Sequence, residues 1–494
     1  MSIRVLLGTA ACLTLAGCAL KIPPFGADIA PEAARQIPGE WSSPHRSGAV
    51  LPNWISTFHD PELTALVADA IERNPDLKAA AARVEASRAA VRIAAASLYP
   101  RIAMKGLGER QGQEISGDLG RSINPPDFGP PGTENPGGAG LDTSMDESSQ
   151  RWVYGLAAGA AWEADVWGRI RAKKAAALAE SGALEADYEF ARQSLAAAVA
   201  RAYFSTIEAA QQEANAEETL NIYQEYTKLT DVQKQQGHAS DFDVAQIKSR
   251  TASAQDALYV AQQARAQTIR AIEVVTSHYP AGRFEVRRSF PAQPRSVPAG
   301  LPAQLLERRP DLIASERRFA AAFHRVHEAR TARLPRIVLS ATGGLGTADL
   351  DGVGSLDAVL WSLAAGVTQP IFFGGELNAA QDLRTAEQKA AAASYVGTAL
   401  RAFEDVEDAL SNDYYLRKRE GALSEAVSSS SESVNLAGKQ LEQGQIDMFT
   451  ILRLGGENLA AKIQLTQVRA SRLRERVNLY LALGGDFAGT NASK

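Results

Sequence analysis

Cysteine is nearly absent. The 494 residues hold two, Cys12 and Cys18, both within the first twenty positions. A disulfide framework and a cysteine-based zinc site are thereby excluded from the body of the chain. There is no excess of basic residues either: the formal net charge is -5, which speaks against a nucleic-acid binder and its basic stripe. Beyond the first twenty residues no apolar run approaches the ~18 residues that a membrane-spanning helix needs, and mean hydropathy is -0.19. A polytopic helical membrane protein is excluded, but membrane β-strands are not, because alternating strands give only a weak hydropathy signal. Signatures of catalysis are missing as well: no P-loop, no Gly-x-Ser-x-Gly elbow, no His-Glu-x-x-His. No catalytic residue, metal ligand or cofactor is assigned, and an enzyme is not expected. What remains is 45% apolar and 22% charged, the balance of a folded chain.

Several polar groups invite a site and are better read otherwise. His324 and His327 stand three apart on a predicted helix with Glu328 beside them; with no further ligand in view, an interhelical polar patch outweighs a metal site. Ser428 to Ser431 read as polar helix surface. Asp142, Asp146 and Glu147 read as a solvated loop.

The N-terminus is an export signal. Arg4 precedes an uncharged stretch from Val5 to Leu20 with small residues at Ala16 and Gly17. Leu15-Ala16-Gly17-Cys18 resembles the bacterial lipobox, which implies cleavage after residue 17 and acylation of Cys18. Several acyl chains on one residue suffice for stable attachment to a membrane, and Ala19 in place of Asp favours the outer one by the same resemblance. Residues 19–52 carry six prolines and are expected to form an extended tether.

The most informative feature is internal repetition. Pro75-Asp76-Leu77 recurs as Pro310-Asp311-Leu312, and Pro100-Arg101-Ile102 as Pro335-Arg336-Ile337, both 235 positions on. Leu156-Ala157-Ala158-Gly159 recurs as Leu363-Ala364-Ala365-Gly366, now 207 on, as do Gly168 (Gly375), Gly237 (Gly444) and Phe242 (Phe449). The 28-residue difference falls in residues 110–150, which hold eight glycines and five prolines and read as a long exposed loop. The expected organisation is a signal at 1–17, an acylated tether at 18–55, repeat 1 at 56–285, repeat 2 at 286–485 with a short loop at 347–356, and a tail at 486–494.

Each repeat has the same parts. Asn74 is placed to cap a helix with Pro75 in its first turn and Asp76 at the positive end of its dipole. That helix runs to about Leu98 and stops before Pro100. Strands are expected from Tyr99 to Glu109, Arg151 to Asp165, Pro335 to Thr347 and Leu356 to Pro370. Trp152, Tyr154, Leu156, Ala158, Ala160 and Trp162 alternate onto one face with aromatics at both ends, as in a membrane β-barrel. Gly155 and Gly159 make a GxxxG spacing, but within a strand. Very long helices follow, one reaching Gln236 and its counterpart running from Leu377 to Gln443. Residues 172–202 hold thirteen alanines. A rod of 65 to 70 residues is roughly 100 Å long and needs other helices around it. Four strands per chain cannot close a barrel, for which about eight is the minimum, and open edges are not tolerated in lipid. Three copies would give twelve strands. The fold class is therefore α+β, with a trimeric twelve-stranded β-barrel continuous with a helical barrel.

With the tandem repeat, the lipobox, the Trp162-Glu163-Ala164-Asp165-Val166-Trp167-Gly168 junction and its Phe372-Phe373-Gly374-Gly375 counterpart, the chain resembles the TolC/OprM/NodT outer-membrane efflux factors. The resemblance implies a homotrimer held in outer-membrane lipid and extending into the periplasm, docked to a periplasmic adaptor protein and an inner-membrane transporter that supplies the energy. It implies no chemistry of its own and no nucleic acid. It also implies a gate where the long helices turn back. The string from Gly444 to Arg453 resembles the family's turn, placing Phe449 at an apolar ring and Arg453 at a charged one, with Asp447 beside them. Phe242 and Gln246 are the repeat-1 counterparts, and Gly237 and Gly444 the tip turns. Relatives commonly carry aspartate at the charged position, so Arg453 is a departure. It also stands four before Glu457, a spacing that favours a surface pair. Two alternatives stay open: the duct of a type I protein secretion system, and a lipid-anchored helical scaffold without a pore.

Overall fold

The computed structural model describes residues 21–113, 149–347 and 359–485, apart from 36, 51–52, 294–296 and 444. Cys18, Gly444, Asp142, Asp146, Glu147 and most of the two strand-connecting loops lie outside the described residues.

The larger elements, in chain order, are α1 (Pro61–Arg73), α2 (Pro75–Ala96), β1 (Arg101–Gln113), β2 (Ser149–Ala164), α3 (Arg169–Gln235), α4 (Asp241–Val275), α5 (Pro302–Arg308), α6 (Pro310–Thr331), β3 (Arg336–Thr347), β4 (Val359–Thr368), α7 (Glu376–Glu442) and α8 (Met448–Ala482). Helices of equal length stand at the offsets seen in the sequence: α2 and α6 have 22 residues, α3 and α7 have 67, α4 and α8 have 35. No described helix is long and apolar enough to cross a membrane.

The chain divides into two compact units, and each draws on both halves of the sequence. The first comprises the described residues of 1–24, 86–181 and 317–391. Its centre is a four-stranded antiparallel sheet in the order β1-β2-β3-β4. Antiparallel pairing stretches β1 to Gln113, opposite Ser149, past the end at Glu109 that composition marks. β4 stops at Thr368 opposite Arg336, short of Pro370, whose missing N–H could not extend a ladder. Gly155 and Gly159 lie in β2, so their spacing is not a helix contact.

The second unit comprises the described residues of 25–85, 182–316 and 392–485. Its core gathers Trp54, Phe58, Tyr203, Phe204 and Tyr480 with leucines and alanines of α1, α3, α7 and α8. Trp54 stacks on Tyr480 at 5.6 Å, and Phe58 meets Phe204 at 5.2 Å. The expectation of an extended tether over 18–55 is corrected here. Trp41, Trp54 and Ile55 are buried in this core, and the Ser42 and Ser43 amides donate to the Glu407 carboxylate at 2.7 and 2.8 Å. Two tryptophans and an anion able to receive backbone N–H groups turn a proline-rich strand of chain into a docked one.

The helix starts follow local chemistry. Asn74 Oδ1 accepts from the Leu77 amide at 2.9 Å, as the cap reading requires. Asp60 caps α1 through the Glu62 and Leu63 amides and, from its buried position, also accepts from the Tyr203 hydroxyl and the Arg287 guanidinium, both at 3.1 Å. Burial and the adjacent Asp60 and Glu62 carboxylates hold the Tyr203 phenol well above its usual range.

After α4 the chain folds back over Glu273, whose carboxylate accepts three backbone N–H groups: Gly282 at 2.7 Å, Arg283 at 2.8 Å and Phe284 at 3.2 Å. These bonds, led by that from Gly282, outweigh burial and hold its pKa below the ordinary 4.5. A lowered carboxylate pKa stabilises the fold above the unfolded value and loses that contribution as pH falls through the folded one. Glu273→Gln is therefore expected to lower the unfolding midpoint at pH 7 and to narrow the gap to wild type as the pH falls below 4.5. Parallel unfolding curves across that range would refute the assignment.

Candidate functional site

The sheet has two unlike faces. Ile102 and Met104 of β1, Leu156, Ala158, Ala160 and Trp162 of β2, Ile337, Leu339 and Ala341 of β3, and Trp361, Leu363 and Val367 of β4 share one side through the observed register. Most of the large ones are exposed in the single chain. The other side carries Arg101, Lys105, Glu163, Ser340, Thr342, Ser362 and Thr368 among alanines and glycines, with Val338 beside them; Thr342 and Ser362 are joined by a hydroxyl–hydroxyl bond of 2.6 Å. Period two has sorted apolar from polar across four strands, the pattern of a sheet with lipid on one side and water on the other. Both outer strands, β1 and β4, have a single neighbour among the described residues.

The junction between β2 and α3 is where the Trp162–Gly168 string acts. Asp165 caps α3, accepting from the Ile170 and Arg171 amides at 2.9 Å each and from Arg171 Nε at 3.1 Å. Arg169 grips Glu163 with Nε and Nη2 at 3.1 and 2.8 Å. Trp162 Nε1 donates to the Leu98 carbonyl at 2.9 Å, and Trp167 Nε1 to the Pro335 carbonyl at 2.7 Å. Gly168, at φ 78°, makes a turn that a side chain would strain. His327 also bonds the Trp167 backbone, and burial lowers the pKa of both His327 and His324. No group of three possible metal ligands gathers among the described residues. His327 packs at this junction, and His324, one turn before it, lies against the Phe323 ring.

In the second unit the long helices turn back at two equivalent points. Gly237, at φ 77°, leads to Ser240, whose hydroxyl accepts from the Asp243 amide at 3.2 Å while Asp243 receives the Ser240 amide at 2.8 Å. The counterpart of Ser240 is Asp447, which accepts from the Thr450 amide at 2.8 Å and its hydroxyl at 2.6 Å. Hydrogen bonding lowers both acids, from the Ser240 hydroxyl at Asp243 and from the Thr450 hydroxyl at Asp447. The Asp447 charge opposes the lowering at Asp243 without reversing it. Asp241 pairs with Lys234.

Phe242 and Phe449 each stand second in their helices, and both are exposed. Gln246 is half-buried. Arg453 reaches none of the three aspartates with an ion pair; it bonds Glu457 at 2.7 Å, with both side chains more than half exposed. A contact missed from sequence lies just beyond: Asn458, buried, donates to the Ser430 and Ser431 hydroxyls at 2.9 and 2.7 Å. The serine run is thus in part an α7–α8 contact and not free surface. No local pattern sets Asn458 apart, since the same helix also buries Thr466 and Arg476.

A family model for the outer membrane efflux protein family matches residues 66–277 and 301–485. The solvent efflux pump outer membrane protein SrpC of Pseudomonas putida is 31% identical over 487 residues, covering 97% of each chain. The pyoverdine export outer membrane protein OpmQ of Pseudomonas putida is 29% identical over 487 residues, covering 98% of this chain and 97% of its own. Among solved structures, the outer-membrane channel OprN superposes with a TM-score of 0.80 at 26% identity, over 95% of this chain and 98% of its own. With a two-faced four-stranded sheet, paired helices of 67 and 35 residues, and this likeness along nearly its whole length, the chain belongs to the outer membrane efflux protein family.

Proposed function

We propose that this protein is the passive exit duct of a tripartite efflux system. Three copies close a twelve-stranded barrel in the outer membrane; an inner-membrane transporter drives substrates into the duct through a periplasmic adaptor protein. The observation that carries this reading is the sheet: apolar on one side, largely polar on the other, with both edges unpaired among the described residues. Unpaired backbone groups cost several kcal/mol each in lipid, so the edges must meet other strands. Because each chain supplies an even number of strands, β4 and β1 run antiparallel and identical copies can join head to tail. A scaffold without a pore has no use for such a sheet. The paired helices of equal length support a tandem duplication.

No residue is given a chemical role and no cofactor is invoked beyond lipid on Cys18, which with insertion of the barrel makes two independent anchors. Native mass of the detergent-purified protein is expected to show three chains, each beginning at an acylated Cys18. A stable folded monomer would end the barrel reading; a free thiol at Cys18 would end the lipid one.

For the gate, the Phe449 ring is the constriction and Arg453 the charged position above Asp447. Rings of guanidinium groups favour anions. Arg453→Asp is expected to shift the reversal potential of the open trimer across a salt gradient toward cation preference. An unchanged potential in a conducting trimer would leave Arg453 as the surface partner of Glu457.

A further inference from the structure

The apolar side of the sheet is not smooth. The register sets Ala160, Ala341 and Leu363 in one row across β2, β3 and β4, and Trp162, Leu339 and Ala365 in the next. The three alanines floor a depression of about 420 Å³, and Trp162, Leu339 and Leu363 wall it in. The Trp162 wall is fixed, because its indole Nε1 donates to the Leu98 carbonyl. No charged side chain lines the depression, and Ser340, which borders it, belongs to the polar side. Such a lining suits hydrocarbon and offers a polar headgroup no compensating partner.

The chain itself brings hydrocarbon to the foot of these strands. Two contacts give the path of its N-terminal segment. The Gly26 amide donates to Glu316 at 3.1 Å, and the Lys21 charge acts on His327, eleven residues further along α6. Eleven residues of helix rise about 16 Å, and five residues of extended chain span about 17 Å. The segment therefore runs extended beside α6 toward the end from which the chain enters β3. Ile22, on that path, is 86% exposed. His327 bonds the Trp167 backbone, and Trp167 Nε1 donates to the carbonyl of Pro335, the residue before β3. Lys21 thus stands at the foot of β2 and β3. Cys18 is three residues beyond it, at most about 11 Å of chain.

We propose that an acyl chain carried by Cys18 lies in this depression, packed across β3 between Trp162 and Leu363. The proposal rests on the lipid reading above and adds where the hydrocarbon goes. The tether keeps the acyl chains beside this wall, whereas a free phospholipid exchanges with the bilayer. A tethered chain has also given up its translational freedom on attachment, so seating costs it less than it costs a free lipid.

The test uses the full-length protein, lipidated in cells fed a fatty acid that carries a diazirine near its far end. After irradiation, mass spectrometry maps the adducts. Wild type is expected to join its N-terminal lipopeptide to Leu339, Ala341, Leu363 or Ala365. Ala341→Phe and, separately, Ala365→Phe fill the floor and are expected to lose most of these adducts. Ala158→Phe, on the same side but outside the depression, is expected to keep them. All three exchange apolar for apolar on the lipid side, and the outer-membrane fraction of each checks insertion. Lipopeptide adducts spread evenly over the apolar side would overturn the seat while the lipid at Cys18 stands. So would adducts at these strands from phospholipid alone. An intact mass without acyl groups would remove the lipid reading, and the seat with it.

Discussion

Leu363→Arg is expected to destabilise the membrane-inserted sheet by about 2–4 kcal/mol, the range for a cationic side chain on the lipid face near mid-bilayer. Ser362→Arg, one residue away, is expected to change stability by less than about 1 kcal/mol, because a lumen-facing position meets water. Leu363 lies mid-strand on the apolar side with Trp361 and Val367, while Ser362 lies on the polar side against Thr342. The measurement is urea unfolding of the protein in lipid, with the outer-membrane fraction of each variant as a second readout. The contrast is what decides. On the surface of a soluble sheet an exposed leucine exchanged for arginine costs little, so equal stability of the two variants would refute a lipid-facing side.

The second large effect is expected at Arg309. Its side chain is buried, and its Nε and Nη2 grip Asp311 at 3.0 and 2.7 Å while Nη1 reaches Asp405 at 2.9 Å. The Ala402 and Ala482 carbonyls lie 3.4 Å away, so the one guanidinium ties the start of α6 to α7 and to the end of α8. Burial alone would lower its pKa; the Asp311 and Asp405 carboxylates outweigh it. Removing one partner of a buried pair costs about 3–5 kcal/mol. Asp405 remains half-exposed and Asp311 keeps its place at a helix N-terminus, so Arg309→Ala is expected near 3 kcal/mol. Lysine cannot reproduce the fork and should recover less than half. Arg453→Ala, which removes an exposed pair one helical turn apart, should cost no more than about 0.5 kcal/mol. Unfolding midpoints in detergent compare the three, and an Arg309→Ala midpoint matching that of Arg453→Ala would dismiss the buried fork.

Arg309 also marks a limit of the repeat as a guide. It occupies the position of Asn74, 235 residues on. Asn74 caps α2 with its own side chain, and that was legible, since a capping residue followed by Pro and Asp acts within one turn. Arg309 works through residues 93 and 173 positions away, and no local pattern announces such a contact. The same holds for Glu407, which receives amides from more than 360 residues upstream, and for Asn458 with Ser430 and Ser431.

What the sequence determined by itself was periodic or local: the helices, broken at prolines and glycines; the strands, alternating in pairs; the caps; and the two offsets that recur as helices of equal length. Hydrogen-bonding geometry within one turn or one hairpin fixes these, and the residue types report it directly. What only the tertiary structure decided was which polar groups meet. A proline-rich segment is a docked strap and not a free tether, because two tryptophans and Glu407 hold it. Arg453 turns to Glu457, while Asp241, Asp243 and Asp447 are held by Lys234, Ser240 and Thr450. A charged side chain has several partners within reach of its sequence position, and only the packed chain sets the distances that choose among them.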